Sequence, residues 1–186
     1  MKNFTYYLIT DPISYTNDLE KFEQKLQTVL ETKHVDMACF RDKTSQNIKD
    51  LAKVFINTCK KYNIKDIYIN QNIEIAKQLN FDGIHLTSSQ FEHIKEAKSF
   101  GLKTIISCHN YKEIEKAIIM KSDMVTYSPI FFTPNKGEPK GIDALNEVTE
   151  KFDIDIIALG GIISNTQIKQ IQKTKAKGFA SIRYFI

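Results

Sequence analysis

In VDMACFRDKTSQNIKDLAKVFINTCKKYNIKDIYIN, residues 35–70, two short apolar runs flank one run of helical spacing. Val35–Phe40 and Asp66–Asn70 are apolar for most of their length, the pattern of parallel strands buried on both faces; hairpin strands would alternate. Between them Ile48, Leu51, Ala52, Phe55 and Ile56 recur at the period of an amphipathic helix. The segment therefore predicts strand, crossover helix, strand, with Thr44 and Ser45 as the expected N-caps of the helix.

The same unit recurs on both sides. Tyr6–Thr10, Gly83–Leu86, Lys103–Ser107, Met124–Ser128, Ile154–Leu159 and Gly178–Ile182 complete a set of eight expected strands. Helical periodicity shows again at Leu19, Phe22, Leu26, Val29 and Leu30, Ser164-Asn165 reads as an N-cap, and Gly101 as a helix stop. With no linker or low-complexity stretch, the expectation is a single domain over residues 1–186, a (β/α)8 TIM barrel of the α/β class, with a doubly wound open sheet as the alternative. No helix can follow the last strand before Ile186, so the last outer helix is expected to be missing. Tyr184, Phe185 and Ile186 are then apolar groups for which a partner subunit would provide cover, and a homodimer is expected.

Composition narrows the function classes. The chain has 42% hydrophobic and 26% charged residues and a net charge of +4, with Lys and Asp/Glu intermixed rather than gathered into a basic block. That argues against nucleic acid and leaves small anions as ligands. No run approaches the ~20 apolar residues of a membrane span, and Met1-Lys2-Asn3-Phe4 does not open a signal peptide, so a cytoplasmic location is expected. Cys39, Cys59 and Cys108 form no CxxC, which points to neither a disulfide framework nor a zinc site.

In a barrel of this kind, chemistry sits where strands end. The second strand ends in Arg41-Asp42-Lys43, which is either a solvated turn or a pair of cations suited to anionic oxygens. The third ends in Asn70-Gln71, and His85 inside the fourth reads as a hydrogen-bonded core histidine. The fifth gives Ser107 and His109, a hydroxyl donor and an acid–base group, although His109 can equally be a bystander at a helix start. A long loop at 129–141 carries Thr133, Asn135 and Lys136, with prolines, phenylalanines and glycines, as a lid over a heteroaromatic phosphate would. Gly160-Gly161 and the pair Ser181 and Arg183 follow strands seven and eight, where barrels of this fold hold phosphate.

This ordered series resembles the family of thiamine phosphate synthase and the TenI-type thiazole tautomerase. The resemblance rests on Tyr-Leu-Ile-Thr-Asp-Pro at 7–12, Arg-Asp-Lys at 41–43, Ile-Asn at 69–70, Asp-Gly-Ile-His-Leu at 82–86, Ser-Cys-His at 107–109, Ser-Pro-Ile-Phe-Phe-Thr-Pro-Asn-Lys at 128–136 and Gly-Gly-Ile at 160–162. It implies that Arg41, Lys43 and Asn70 bind the pyrophosphate of a hydroxymethylpyrimidine, that Thr133 and Lys136 stand where this meets a thiazole phosphate, that Gly160 and Gly161 hold the thiazole phosphate, and that Ser107 lies close to the reacting groups.

The resemblance is incomplete in one respect. The synthase holds magnesium with two aspartates, and the corresponding places here are Gln71 and Gln90. Cys39 stands for a glutamine, and Arg183 for a serine. An amide lacks the charge that makes a divalent site strong, so the expectation is no metal and no cofactor, with Mg2+ only for a synthase. The pattern resembles the TenI-type enzymes more closely, which implies a metal-independent thiazole tautomerase of thiamine biosynthesis with His109 as its acid–base residue. A divergent thiamine phosphate synthase is the alternative, and a non-catalytic binding or regulatory barrel is the alternative of another class.

Overall fold

The computed structural model describes residues 4–186, so the reading of Met1-Lys2-Asn3 lies outside the described residues. Eight parallel strands close into one barrel in sequence order. The first strand, β1 (Thr5–Ile9), is followed by a single turn, α1 (Pro12–Tyr15), and by α2 (Leu19–Thr32). The next units are β2 (Met37–Phe40) with α3 (Ile48–Lys61), β3 (Asp66–Asn70) with α4 (Ile73–Leu79), and β4 (Gly83–Leu86) with α5 (His93–Ser99). There follow β5 (Lys103–Cys108) with α6 (Tyr111–Ile119), β6 (Met124–Tyr127) with α7 (Gly141–Lys151), β7 (Asp155–Leu159) with α8 (Asn165–Ile171), and β8 (Gly178–Ser181). Thr5 pairs with Gly178 and Leu8 with Ser181 to close the ring. Among the described residues, no helix is long and apolar enough to cross a membrane.

Strand alternation divides the core. Tyr7, Ile9, Met37, Cys39, Tyr68, Ile105, Ile157 and Ala180 fill the inside of the barrel. The residues between them on each strand face outward and meet the helices, so Leu8, Phe40 and Phe179 join Phe22 and Leu26 of α2 and Leu51 and Phe55 of α3 in a larger outer cluster. The three cysteines are free and buried.

Three expectations are corrected. Thr44 and Ser45 do not cap α3, whose N-cap is Asn47; they fold back on Asp42, whose carboxylate accepts from both backbone N–H groups and from the Ser45 hydroxyl at 2.6 Å. Phe185 needs no partner subunit, because it is 1% exposed and stacks on Phe179 with centroids 5.9 Å apart. Tyr184 meets both of those rings edge-on, which leaves Ile186 as the exposed member of the three. Ser181 lies on the outward face with Phe179, and its hydroxyl donates to the Ile162 carbonyl at 2.7 Å and accepts from Tyr184 N–H. The side chain is 5% exposed and ties two loops together rather than reaching the mouth.

Two local expectations hold, and one turn was not foreseen. Ser164 caps α8 in a capping box with Gln167. Gly101 follows α5 at φ +75. The turn α1 is capped by Asp11 with Pro12 in its first positions, a start signal present in the sequence.

Candidate active site

The C-terminal ends of β2 to β7 bring most of the expected residues to one mouth. Arg41 leaves β2 with its N–H bonded at 2.9 Å to the hydroxyl of Thr10, the residue just past β1, which fixes where the side chain sets out. Asp42 then organises the loop. Burial raises its carboxyl, but hydrogen bonds from Ser45 and Thr44 outweigh burial and hold it below the usual carboxylate range. The exposed Lys43 follows, and its ammonium is pushed below the ordinary lysine value by desolvation first, then by the charges of Arg41 and Lys136. Lys136 belongs to the loop after β6, so two loops direct three cations into one another's field.

Beside them a cleft of about 700 Å³ opens between the loops after β2, β3 and β4, lined among others by Lys43, Ser45, Asn70, Gln71 and His93. Asn70 is oriented by its amide, which donates to the His85 carbonyl at 2.8 Å. Gln71 N–H bonds to the same carbonyl, and the residue sits at φ +67. Gln90 turns into its own loop, its side-chain oxygen accepting from Thr87 N–H and from the Thr87 hydroxyl. The residues present do not fit the magnesium site that the resemblance gives to a synthase. The Gln90 oxygen is already bonded, the Asp42 carboxylate accepts four donor contacts, and no group of three His, Cys, Asp or Glu could hold a metal among the described residues.

His109 is half-buried just past β5, and Asn110 caps α6 behind it. Its Nδ1 lies 3.1 Å from the Ser128 carbonyl oxygen and 3.2 Å from the Ser128 hydroxyl. A carbonyl only accepts, so Nδ1 carries the proton in the neutral ring and Nε2 keeps the lone pair. Such a ring can take up a proton at Nε2 and return it. The sequence singled out His109 without identifying Ser128 as the residue that orients it.

The loop after β6 is held at its root. Ile130 N–H bonds to the Leu159 carbonyl at 2.9 Å and Phe131 N–H to the Gly160 carbonyl at 3.0 Å, while Lys140 and Gly141 bond back to the carbonyls of Pro129 and Ile130. Thr133 turns its hydroxyl to the Phe131 carbonyl, and Asn135, Lys136 and Gly137 form an exposed tip. Gly160 and Gly161, at φ +98 and +69, lie directly against this root. A Cβ on Gly161 would meet the carbonyl oxygens of Phe131, at 2.6 Å, and of Phe132. The pair therefore has a close-approach requirement that the sequence reading, which assigned it to phosphate alone, did not include. Arg183 is exposed in the turn after β8.

Under the mouth, His85 is 3% exposed, with Nδ1 3.1 Å from the Tyr7 hydroxyl and Nε2 3.2 Å from the Ser107 hydroxyl. Burial first, then the Arg41 charge, pushes its pKa down to about 4. An unfolded imidazole titrates near ~6.5, so below that pH the unfolded chain binds a proton that the folded chain refuses. Stability from this group is complete above about pH 6.5 and declines as pH falls towards 4, by ~3 kcal/mol in all. Urea unfolding at neutral pH and at about pH 4.5 measures it. His85→Gln should lose less stability on acidification than the parent, and an identical loss in both would show that His85 is not the group responsible.

Comparison with known proteins covers nearly the whole chain. A family model described as thiamine monophosphate synthase matches residues 6–185. A putative thiamine-phosphate synthase 2 of Aquifex aeolicus (strain VF5) is 33% identical over 186 residues, covering 97% of this chain and 96% of that protein. A thiamine-phosphate synthase of Clostridium novyi (strain NT) is 30% identical over 185 residues, covering 97% and 89%. Among solved structures, thiamine phosphate pyrophosphorylase from Pyrococcus furiosus matches with a TM-score of 0.82 at 20% identity, over 97% of this chain and 86% of that one, a likeness of fold.

Proposed function

This chain belongs to the thiamine monophosphate synthase family, and from that premise we propose that it joins hydroxymethylpyrimidine pyrophosphate to thiazole phosphate. The tautomerase expected from the two glutamines becomes the second reading. One observation carries the first: Arg41 and Lys43 from the loop after β2 and Lys136 from the loop after β6 converge closely enough that, after desolvation, the charges of Arg41 and Lys136 help to hold Lys43 below a free lysine. Bringing like charges together is unfavourable unless a polyanion occupies the place, and a pyrophosphate is such an anion. Relatives named as thiamine-phosphate synthases support the same reading.

The chemistry that follows is a substitution. The thiazole nitrogen forms a bond to the exocyclic methylene carbon of the pyrimidine, and the carbon–oxygen bond to pyrophosphate breaks, its electron pair leaving with the pyrophosphate. Arg41, Lys43 and Lys136 stabilise the charge that develops on the leaving oxygens, which is where preorganised cations lower a barrier most. Asn70 adds a neutral hydrogen-bonding group beside them, and Ser107 is placed to donate to the reacting groups from below. Thr133 and Asn135 of the lid, Gly160 and Gly161 at its root, and Arg183 are assigned to the thiazole-phosphate side. Ser181 is omitted, since its hydroxyl is engaged elsewhere.

The test is to mix purified protein with both substrates, with and without magnesium, and assay thiamine phosphate and released pyrophosphate. Equal amounts of the two support the reading, and thiazole phosphate bound without product refutes it. The second reading, a thiazole tautomerase, is favoured by one observation, the Nε2 of His109 left with its lone pair by the Ser128 carbonyl. For that activity His109→Ala should lower turnover by about 100-fold or more while binding persists. Unchanged turnover would remove His109 from the chemistry.

A further inference from the structure

Three side chains from three strands form one hydrogen-bonded file inside the barrel. The Tyr7 hydroxyl of β1 meets His85 Nδ1 of β4, and His85 Nε2 meets the Ser107 hydroxyl of β5. The Tyr7 and His85 rings also stack, with centroids 5.8 Å apart and planes 24° from parallel. Tyr7 is 0% and His85 3% exposed, whereas Ser107 is half-buried, so the file runs from the sealed interior to the floor of the mouth. An aliphatic trio would fill the same space without the desolvation that three buried polar groups entail.

Resting on the synthase reading, we propose that Tyr7 and His85 are positioning residues, which fix the tautomer of one imidazole and through it aim the Ser107 hydroxyl proton at bound substrate. A neutral imidazole has one donor nitrogen and one acceptor nitrogen, so settling one end settles the other. His85 is held neutral by burial and by Arg41. The buried Tyr7 hydroxyl keeps its proton and lies against His85 Nδ1 and the Cys39 sulfur, so the proton goes to one of these two. Sulfur is the weaker acceptor, and the Cys39 thiol is itself directed at the Phe40 carbonyl, 3.7 Å away. Tyr7 therefore donates to Nδ1, and Nε2–H donates to Ser107 Oγ. The proton of Ser107 is then left for the mouth, with its oxygen already occupied from below.

Two measurements test this. Side-chain nitrogen NMR of the protein should show His85 as the Nε2–H tautomer, without titration between about pH 5.5 and 8, and Tyr7→Phe should mix the tautomers. In the synthase assay Tyr7→Phe should lower kcat about tenfold with KM within about twofold, the scale of one lost hydrogen bond. His85→Leu should fall further, and His85→Gln, which keeps an N–H toward Ser107, should recover part of the rate. In the Ser107→Ala background the Tyr7→Phe change should have no further effect on kcat, because the group it acts through is gone. Additive losses, or an Nδ1–H tautomer, would overturn the proposal. A parent protein that makes no thiamine phosphate yet shows the Nε2–H signature would instead overturn the synthase reading and, with it, the file's role in that reaction. An Nδ1–H signature defeats the file whatever the activity.

Discussion

Arg41→Met should lower kcat/KM for thiamine phosphate formation by about 100- to 1,000-fold, the range seen when a preorganised donor to developing negative charge is removed. The guanidinium starts from a backbone pinned by Thr10 and shares its field with Lys43 and Lys136, so a neutral side chain of similar length removes charge without moving the strand. Arg41→Lys should restore only a minor part, since an ammonium cannot present two parallel N–H groups to phosphate oxygens. Because the three cations lie at an open mouth, added salt should weaken the parent enzyme more than the variant. Steady-state kinetics at two ionic strengths measures both effects. A loss of less than about threefold would place the pyrophosphate elsewhere.

Gly161→Val should abolish ligand binding while the barrel stays folded. The residue sits at φ +69, where a β-branched side chain is strained, and its Cβ would collide with backbone carbonyls of Phe131 and Phe132. Strain of this kind is about 1–3 kcal/mol and should lower Tm by roughly 2–12 °C in a domain of this size. The collision adds displacement of the whole root of the lid, and with it Thr133 and Lys136. Gly101→Val separates the two contributions, because Gly101 has φ +75 but open space where a Cβ would stand. It should lose stability and keep binding, as calorimetry and thermal unfolding can show. Normal thiazole-phosphate binding by folded Gly161→Val would mean that neither glycine nor lid root supports the site.

The barrel was legible because parallel strands buried on both faces carry a composition signal that needs no tertiary information. The runs at 66–70 and 83–86 match β3 and β4 end to end, and the other strands differ by one or two residues at their ends, where element boundaries are least defined. Helix starts were less legible. Thr44 and Ser45 are good capping residue types, but Asp42 competes for their N–H groups and shifts the start to Asn47, whose side chain makes no cap. Asp11-Pro12 did carry a start signal, for a helix only one turn long.

The site was legible as a set of strand ends and not as a network. Arg41, Lys43, Asn70, Ser107 and His109 all follow from their places at or just after strand ends. His85 read correctly as a core histidine, but its partners lie 78 and 22 residues away, and no local pattern joins Tyr7 to Ser107 through it. The requirement at Gly161 was hidden for the same reason, since the carbonyls that exclude a side chain belong to the preceding βα loop. Ser181 was misjudged by one position of strand alternation, which points its hydroxyl at Ile162 and away from the mouth.

The hydrogen bonds from Lys140 and Gly141 back to Pro129 and Ile130 make the loop after β6 close upon itself before it reaches out. A loop whose ends are already joined resists lengthening only through closure entropy, and doubling its residues adds about 0.6 kcal/mol. Insertions between Phe132 and Pro139 are therefore cheap for the fold, though they change how far the lid extends and where Lys136 sits. On the proposed reading, substrate size can drift at this tip while the strand ends that position Arg41, Asn70 and Ser107 stay as they are.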